Sequence, residues 1–172
     1  RLLTVTGVQT CALPISCLVD IYYYNGGYIV DELMFRVGMK NRQIADVILN
    51  QPDPNVLCVA DSAEPKSIEE MQEYGVNVIG ANKGPGSVTQ GIQWVQGQQI
   101  SVTRRSKNIR EAYKNYMWKT DRDGNILSEP DHYMSDAMDA IRYGLSTYRP
   151  QPERKPAGVV GRFDPFTGRR LD

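Results

Sequence analysis

The sequence carries no net charge, because Lys plus Arg and Asp plus Glu both number 20. Bulk electrostatics therefore speaks neither for nor against a nucleic-acid partner, and only local clustering of basic residues can. No uninterrupted apolar stretch approaches the roughly 20 residues that cross a bilayer, which excludes a spanning helix of that kind. The three cysteines, Cys11, Cys17 and Cys58, form no CxxC pair, which removes the usual zinc and dithiol patterns. Cys58 lies within an apolar run, where a small buried thiol is expected, and this usage fits a reducing cytosol. No GxxxxGK(S/T) loop occurs, so the chain holds no P-loop ATP site. Histidine occurs once, as His132, and residues 1–16 contain no acid at all.

The 172 residues suffice for one core and one domain, placed here at 17–148. Residues 149–172 carry four of the ten prolines and several arginines, which predicts a flexible tail. Residues 1–16 fit no clear element, and their apolar stretch is too short, and broken by Pro14, for a signal peptide. The string over 8–15 is similar to translated sequencing-adaptor sequence, so 1–16 is expected to be a non-native or unstructured leader.

β-Branched and aromatic residues over 17–24, the turn formers Asn25, Gly26 and Gly27, and a second such run over 28–35 predict a hairpin. Ile44, Val47 and Ile48 at helical spacing predict a helix over 40–49, ended by Asn50, Pro52 and Pro54. The short apolar run 56–60 suits a central strand covered on both faces. Ser67 and Glu70 form a capping-box pattern that starts a helix ended at Gly75, and a strand follows at 76–79. That succession is a parallel βαβ unit with a right-handed crossover. Ser87 is expected to cap a helix to about residue 95, with an edge strand at 100–103 and a helix at 108–116. Asp123 and Gly124 centre a second hairpin over 117–127; Asp121, Asp123 and Asn125 superficially match a calcium loop, but glycine falls one place early and the terminal Glu is absent. The last helix, 131–148, buries a stripe of Tyr133, Ala137, Ala140, Ile141, Gly144, Leu145 and Tyr148, with His132, Asp136 and Asp139 in the flanking sector.

Asp61 closes the central strand, at the end where parallel sheets place their ligands. Asp136 and Asp139 approach from the last helix. Carboxylates brought from separate rigid elements suit hard divalent cations, and two such ions about 3.5–4 Å apart can drive phosphodiester hydrolysis. Each acid has a plainer reading, as a strand-end turn residue or as compensation of the helix dipole. His132 suits either a metal ligand or base, or a half-exposed position at a helix start. Glu64 suits either an outer ligand or a solvated loop acid. Lys66, Lys83, Arg104, Arg105 and Lys107 lie in loops or at element ends, and glycines 84 and 86 let backbone amides approach a phosphate. These residues suit DNA contact, while each taken alone reads as an ordinary surface cation or part of a flexible connection. Trp94 and Trp118 read as packing residues.

Three segments carry a resemblance to a known family: ADSAEPKSIEEM over 60–71, KGPGSV over 83–88 followed by GIQW over 91–94, and DAMDAIRY over 136–143. In this order and spacing they resemble the C-terminal nuclease domain of tailed-phage terminase large subunits, over about residues 17–148. The resemblance implies an α/β, RNase H-like mixed sheet flanked by helices, with an opening hairpin and a final helix bearing acids. It implies a DNA endonuclease that cuts concatemeric viral DNA during packaging with two Mg2+ or Mn2+ ions. Asp61 matches the family's second catalytic acid and Asp139 its last; Asp136 stands where many relatives place another polar ligand, and His132 is one residue too far upstream. The family's first catalytic acid lies on the opening strand, for which Asp20 is no match, so a molecule without it is expected to bind metal poorly and be inactive. The implied partners are double-stranded DNA, an upstream ATPase domain, the terminase small subunit and the portal, in the bacterial host cytoplasm. Two alternatives remain at this point: another RNase H-like enzyme such as a resolvase or transposase core, and a non-catalytic DNA-binding or motor-docking module.

Overall fold

The computed structural model describes residues 2–8, 15–131 and 135–148. Among these described residues, eight strands and five helices follow in the order β1 (Leu2–Val8), β2 (Ile15–Tyr24), β3 (Gly27–Val37), α1 (Asn41–Leu49), β4 (Cys58–Ala60), α2 (Pro65–Glu73), β5 (Val78–Gly80), α3 (Ser87–Gln96), β6 (Ile100–Val102), α4 (Lys107–Asn115), β7 (Trp118–Thr120), β8 (Ile126–Pro130) and α5 (Asp136–Thr147). Six strands form one mixed sheet in the order β5-β4-β1-β2-β3-β6, and β7 with β8 makes a separate ribbon.

The expected hairpin is β2 and β3, joined by a tight turn in which Asn25 and Gly26 both take positive φ. The register slips between Leu18 and Val19, which face Met34 and Glu32, so Leu33 is the extra residue of a bulge in β3. The expected parallel unit is β4-α2-β5, paired from Cys58 with Val78 to Ala60 with Gly80. Its helix starts two residues before Ser67. Pro65 takes the first helical position, where a fixed φ and a missing N–H cost nothing, and Ser67 lies inside the first turn. At α3 the cap position is Gly86 at φ 75°, with Ser87 the first helical residue rather than the cap.

The largest departure from expectation is β1. Residues 2–8 form a strand at the heart of the sheet, antiparallel to β2 and parallel to β4, where the sequence reading placed a leader. Thr4, Val5, Thr6 and Val8 are β-branched, and a strand with partners on both sides needs little further local signal. The central strand shortens to Cys58–Ala60 and the last helix to Asp136–Thr147. Tyr133 and His132 lie outside the described residues.

Each sheet face has its own core. Leu18, Met34, Cys58, Ala60 and Val78 meet Ile44, Ala45 and Ile48 of α1 and Met71 of α2. On the other face Cys17, Val19, Ile21, Val30 and Val59 meet Ile109 and Ala112 of α4 and Ala137, Ala140, Ile141 and Leu145 of α5. Trp94 packs against this second core, as expected.

Glu32 ties α4 to the sheet. Its carboxylate accepts from the Ile109 amide at 3.0 Å and from Asn108 Nδ2 at 2.6 Å, while its own amide donates to Ser106 Oγ at 2.8 Å. Ser106 makes no side-chain cap of its own, so a residue distant in sequence serves the helix N-terminus. Glu32→Ala is expected to lower stability by about 1–2 kcal/mol in urea unfolding, the range for loss of an N-cap. An unchanged urea midpoint would remove Glu32 from the cap.

Candidate functional site

Asp61 follows β4 directly and Asp139 sits in the first turn of α5, which packs on that strand. Both side chains are nearly buried, the residues being 8% and 9% exposed. Two carboxylates in that setting need partners, and each has a full set. Asp61 Oδ1 accepts from the Ala63 amide at 2.8 Å and from the Lys83 ammonium. Asp61 Oδ2 accepts from the Tyr143 hydroxyl at 3.1 Å. Asp139 Oδ1 accepts from Arg142 at 2.6 Å, and its Oδ2 from Ser135 Oγ at 3.1 Å.

Tyr143 joins the two halves. It lies one helical turn beyond Asp139 and reaches Asp61 across the α5–β4 contact. Lys83 Nζ stands 4.8 Å from its ring centroid and the Arg142 guanidinium carbon 4.6 Å. Burial raises the Tyr143 phenol above its ordinary value, and the charges of Asp139 and Asp61 raise it further, so the hydroxyl stays a donor. Burial draws the Lys83 ammonium down, but hydrogen bonds to Asp61 and Tyr143 outweigh it and leave Lys83 above its ordinary value. Burial likewise opposes the Arg142 charge, and Asp139 reverses the balance.

Arg142 and Tyr143 escaped a pattern reading because both are polar and both are buried by pairing rather than by hydrophobicity. Their positions, three and four residues after Asp139, are the helix-face spacing that could have revealed them. Lys83, one of the basic residues that suit either a phosphate contact or an ordinary surface cation, has its ammonium on Asp61. Asp136, the first residue of α5, is half-buried, and its charge helps raise the buried Cys17 thiol, after burial itself and Glu32. Glu64 occupies the cap position of α2, its amide donating to the Asp61 carbonyl at 3.3 Å.

The remaining basic residues do not converge here. Lys66 is exposed in the first turn of α2. Arg104, Arg105 and Lys107 lie at the β6 end of the sheet, four strands away from β4. Arg105 is committed there to Asp31, with Nε at 2.8 Å and a second nitrogen on the other carboxylate oxygen. His132 lies outside the described residues. Among the described residues, no group of three or more His, Cys, Asp or Glu side chains gathers as a metal cage. Asp61 and Asp139 fit a hard divalent ion in a narrower sense: Mg2+ commonly binds through one or two carboxylates and keeps several waters.

The profile of the terminase RNase H-like domain matches residues 10–147, most of the chain. The chain belongs to that family. It is 33% identical over 123 residues to the terminase large subunit of Bacillus phage SPP1, covering 69% of this chain and 29% of that protein. It is 31% identical over 93 residues to the PBSX phage terminase large subunit of Bacillus subtilis strain 168, covering 54% of this chain and 22% of that protein. The chain thus spans less than a third of the length of either curated relative. Its fold matches the crystal structure of the g2p large terminase nuclease domain of bacteriophage SPP1 with bound Mn, with a TM-score of 0.73 over 84% of this chain and 85% of that one, at 24% identity. The RNase H-like α/β fold expected from the family resemblance is therefore the fold observed. Among the described residues, no helix is long and apolar enough to cross a membrane.

Proposed function

We propose that this domain is the nuclease part of a phage terminase large subunit, cutting concatemeric viral DNA during packaging with Asp61 and Asp139 as its metal-binding acids. The observation that carries this reading is the pair of nearly buried carboxylates on the packed elements β4 and α5, with Tyr143 of α5 donating across to Asp61 and its neighbour Arg142 donating to Asp139. Such rigidity is what a positioned ligand needs. Ala63 and Tyr143 fix the Asp61 carboxylate, while Ser135 and Arg142 fix that of Asp139. A bound Mg2+ or Mn2+ would supply Lewis-acid polarisation of the scissile phosphodiester. Asp136, the first residue of α5, is the acid this reading offers as a further ligand, and a two-ion arrangement needs at least one more carboxylate beyond Asp61 and Asp139. Double-stranded DNA is the substrate on this reading. An ATPase domain, the terminase small subunit and the portal are the partners of the whole protein, in the bacterial host cytoplasm. Lys66, exposed in the first turn of the helix that follows Asp61, is the cation this reading offers to a DNA phosphate.

A second reading has its own observation. Both acids are already neutralised by internal cations and no third ligand joins them among the described residues, as suits a DNA-binding or motor-docking module without cutting activity. Plasmid cutting with Mn2+, together with calorimetric Mn2+ binding, separates the two. Asp61→Ala is expected to abolish cutting and weaken Mn2+ binding by at least roughly tenfold, given one lost anionic ligand. Cutting that persists unchanged in Asp61→Ala overturns the site assignment, and a wild type that binds DNA without cutting it favours the module.

A further inference from the structure

The two acid–cation pairs are built differently. Arg142 is 8% exposed at its side chain, and its stem lies on Gly91 of α3. A methyl group at Gly91 would stand 2.9 Å from Arg142 Cγ and 3.0 Å from Cδ, so the stem is wedged between two packed helices. Interiors packed at that density do not let a guanidinium swing away. Lys83 is 34% exposed at its side chain and extends from a segment with no regular structure between β5 and α3. Its backbone support is firm just before it: the Ala81 amide donates to the Ala60 carbonyl at 2.7 Å, and the Asn82 amide to Thr147 Oγ1 at 3.0 Å. What can move is the side chain, a point charge on four rotatable methylenes.

We infer that Lys83 is the exchangeable counter-ion of this site, holding Asp61 in the ion-free protein and leaving it when a divalent cation binds, while Arg142 stays on Asp139. The inference rests on the reading of Asp61 as a metal-binding acid. Its physical basis is competition for one oxygen. Asp61 Oδ1 takes the lysine ammonium and the Ala63 amide, Oδ2 takes the Tyr143 hydroxyl, and a dication entering at Oδ1 displaces the one partner that is not anchored. Like charges that close repel strongly where solvent screening is weak. In the ion-free state the ammonium offsets the cost of a nearly buried carboxylate, so the site needs no metal in order to fold. The Asp61 carboxylate keeps its orientation throughout, because the Ala63 amide and the Tyr143 hydroxyl still hold it, one on each oxygen, when the lysine leaves.

The test uses Mn2+ alone, without DNA and without reading activity. Calorimetry on the wild type and Lys83→Met is expected to show at least fivefold tighter Mn2+ binding in the variant, since nothing then has to be displaced. Equal or weaker binding by a folded Lys83→Met overturns the inference. The wild type gives a second measurement that needs no variant, namely the rate at which an amine-reactive reagent modifies each lysine, read by mass spectrometry. Saturating Mn2+ is expected to raise the Lys83 rate several-fold and leave Lys66 unchanged. Mn2+ binding with an unchanged or slower Lys83 rate overturns the exchange but leaves Asp61 as a ligand. No Mn2+ binding by the wild type overturns both.

Discussion

Replacing Gly7 by Asp is expected to raise Mn2+ affinity by at least roughly tenfold, because the charge count of the ligands tunes how tightly an oxygen site holds a dication. The position follows from pairing. β1 runs parallel to β4 with Thr4 opposite Cys58 and Val5 opposite Val59, and the same register carried two residues further would set Gly7 opposite Asp61. On its other side Gly7 pairs with Cys17, whose thiol belongs to the α5-facing core and feels the charge of Asp136. On that register a carboxylate introduced at strand position 7 would enter from the strand next to Asp61, and a third carboxylate there would complete the set that the described residues lack. In the ion-free protein the added charge is expected to lower the melting temperature through repulsion, and saturating Mn2+ to restore it. Plasmid cutting is expected to appear, or to rise, in the same variant. Gly7→Asn is the control, with nearly the same shape and strand penalty but no charge. If Gly7→Asp and Gly7→Asn bind Mn2+ equally, the third corner is not at this position.

Much of this arrangement is legible without coordinates, and the parts that are not share a cause. The hairpin of β2 and β3 and the β4-α2-β5 unit each announce themselves through local pattern, a turn signal between β-rich arms or a short apolar run followed by a helix. Asp61 could be placed because the residue after a buried parallel strand is a position of known use. β1 could not, since its place in the sheet comes from strands pairing with it on both sides, a property of the neighbours rather than of residues 2–8. The partners of the acids were hidden for a related reason. Lys83 reaches Asp61 from 22 residues away through a loop, and nothing in a run of glycine and proline says where its lysine points. Arg105 shows the converse: its setting between Arg104 and Lys107 suggests a phosphate contact, while its guanidinium is spent on Asp31, 74 residues back. Charge pairs across long sequence separations leave no periodic trace, and the Lys83–Asp61 half of this site is one of them. The last helix makes the same point within a single element, because its buried surface takes in Asp139, Arg142 and Tyr143 beside the apolar stripe.

Arg142→Met is expected to lower stability by about 3–5 kcal/mol, the cost of leaving a buried charge without its partner. The figure applies with little discount for solvent, because the Arg142 and Asp139 side chains are only 8% and 12% exposed. Methionine keeps most of the stem that packs on Gly91, so the loss reports charge rather than a cavity. Asp139 would retain only Ser135 as a hydrogen-bond donor among the contacts described above. The double variant Asp139→Leu with Arg142→Met removes both charges and is expected to recover most of that loss, since an apolar pair of similar volume often equals or exceeds a buried ion pair. Urea unfolding of the four proteins in the cycle gives the coupling directly. The same cycle separates folding from function: the double variant is expected to be stable yet bind Mn2+ weakly, because the carboxylate on α5 is gone. A double variant as unstable as Arg142→Met alone would mean that the arginine holds α3 against α5 by packing, and that its charge on Asp139 is incidental.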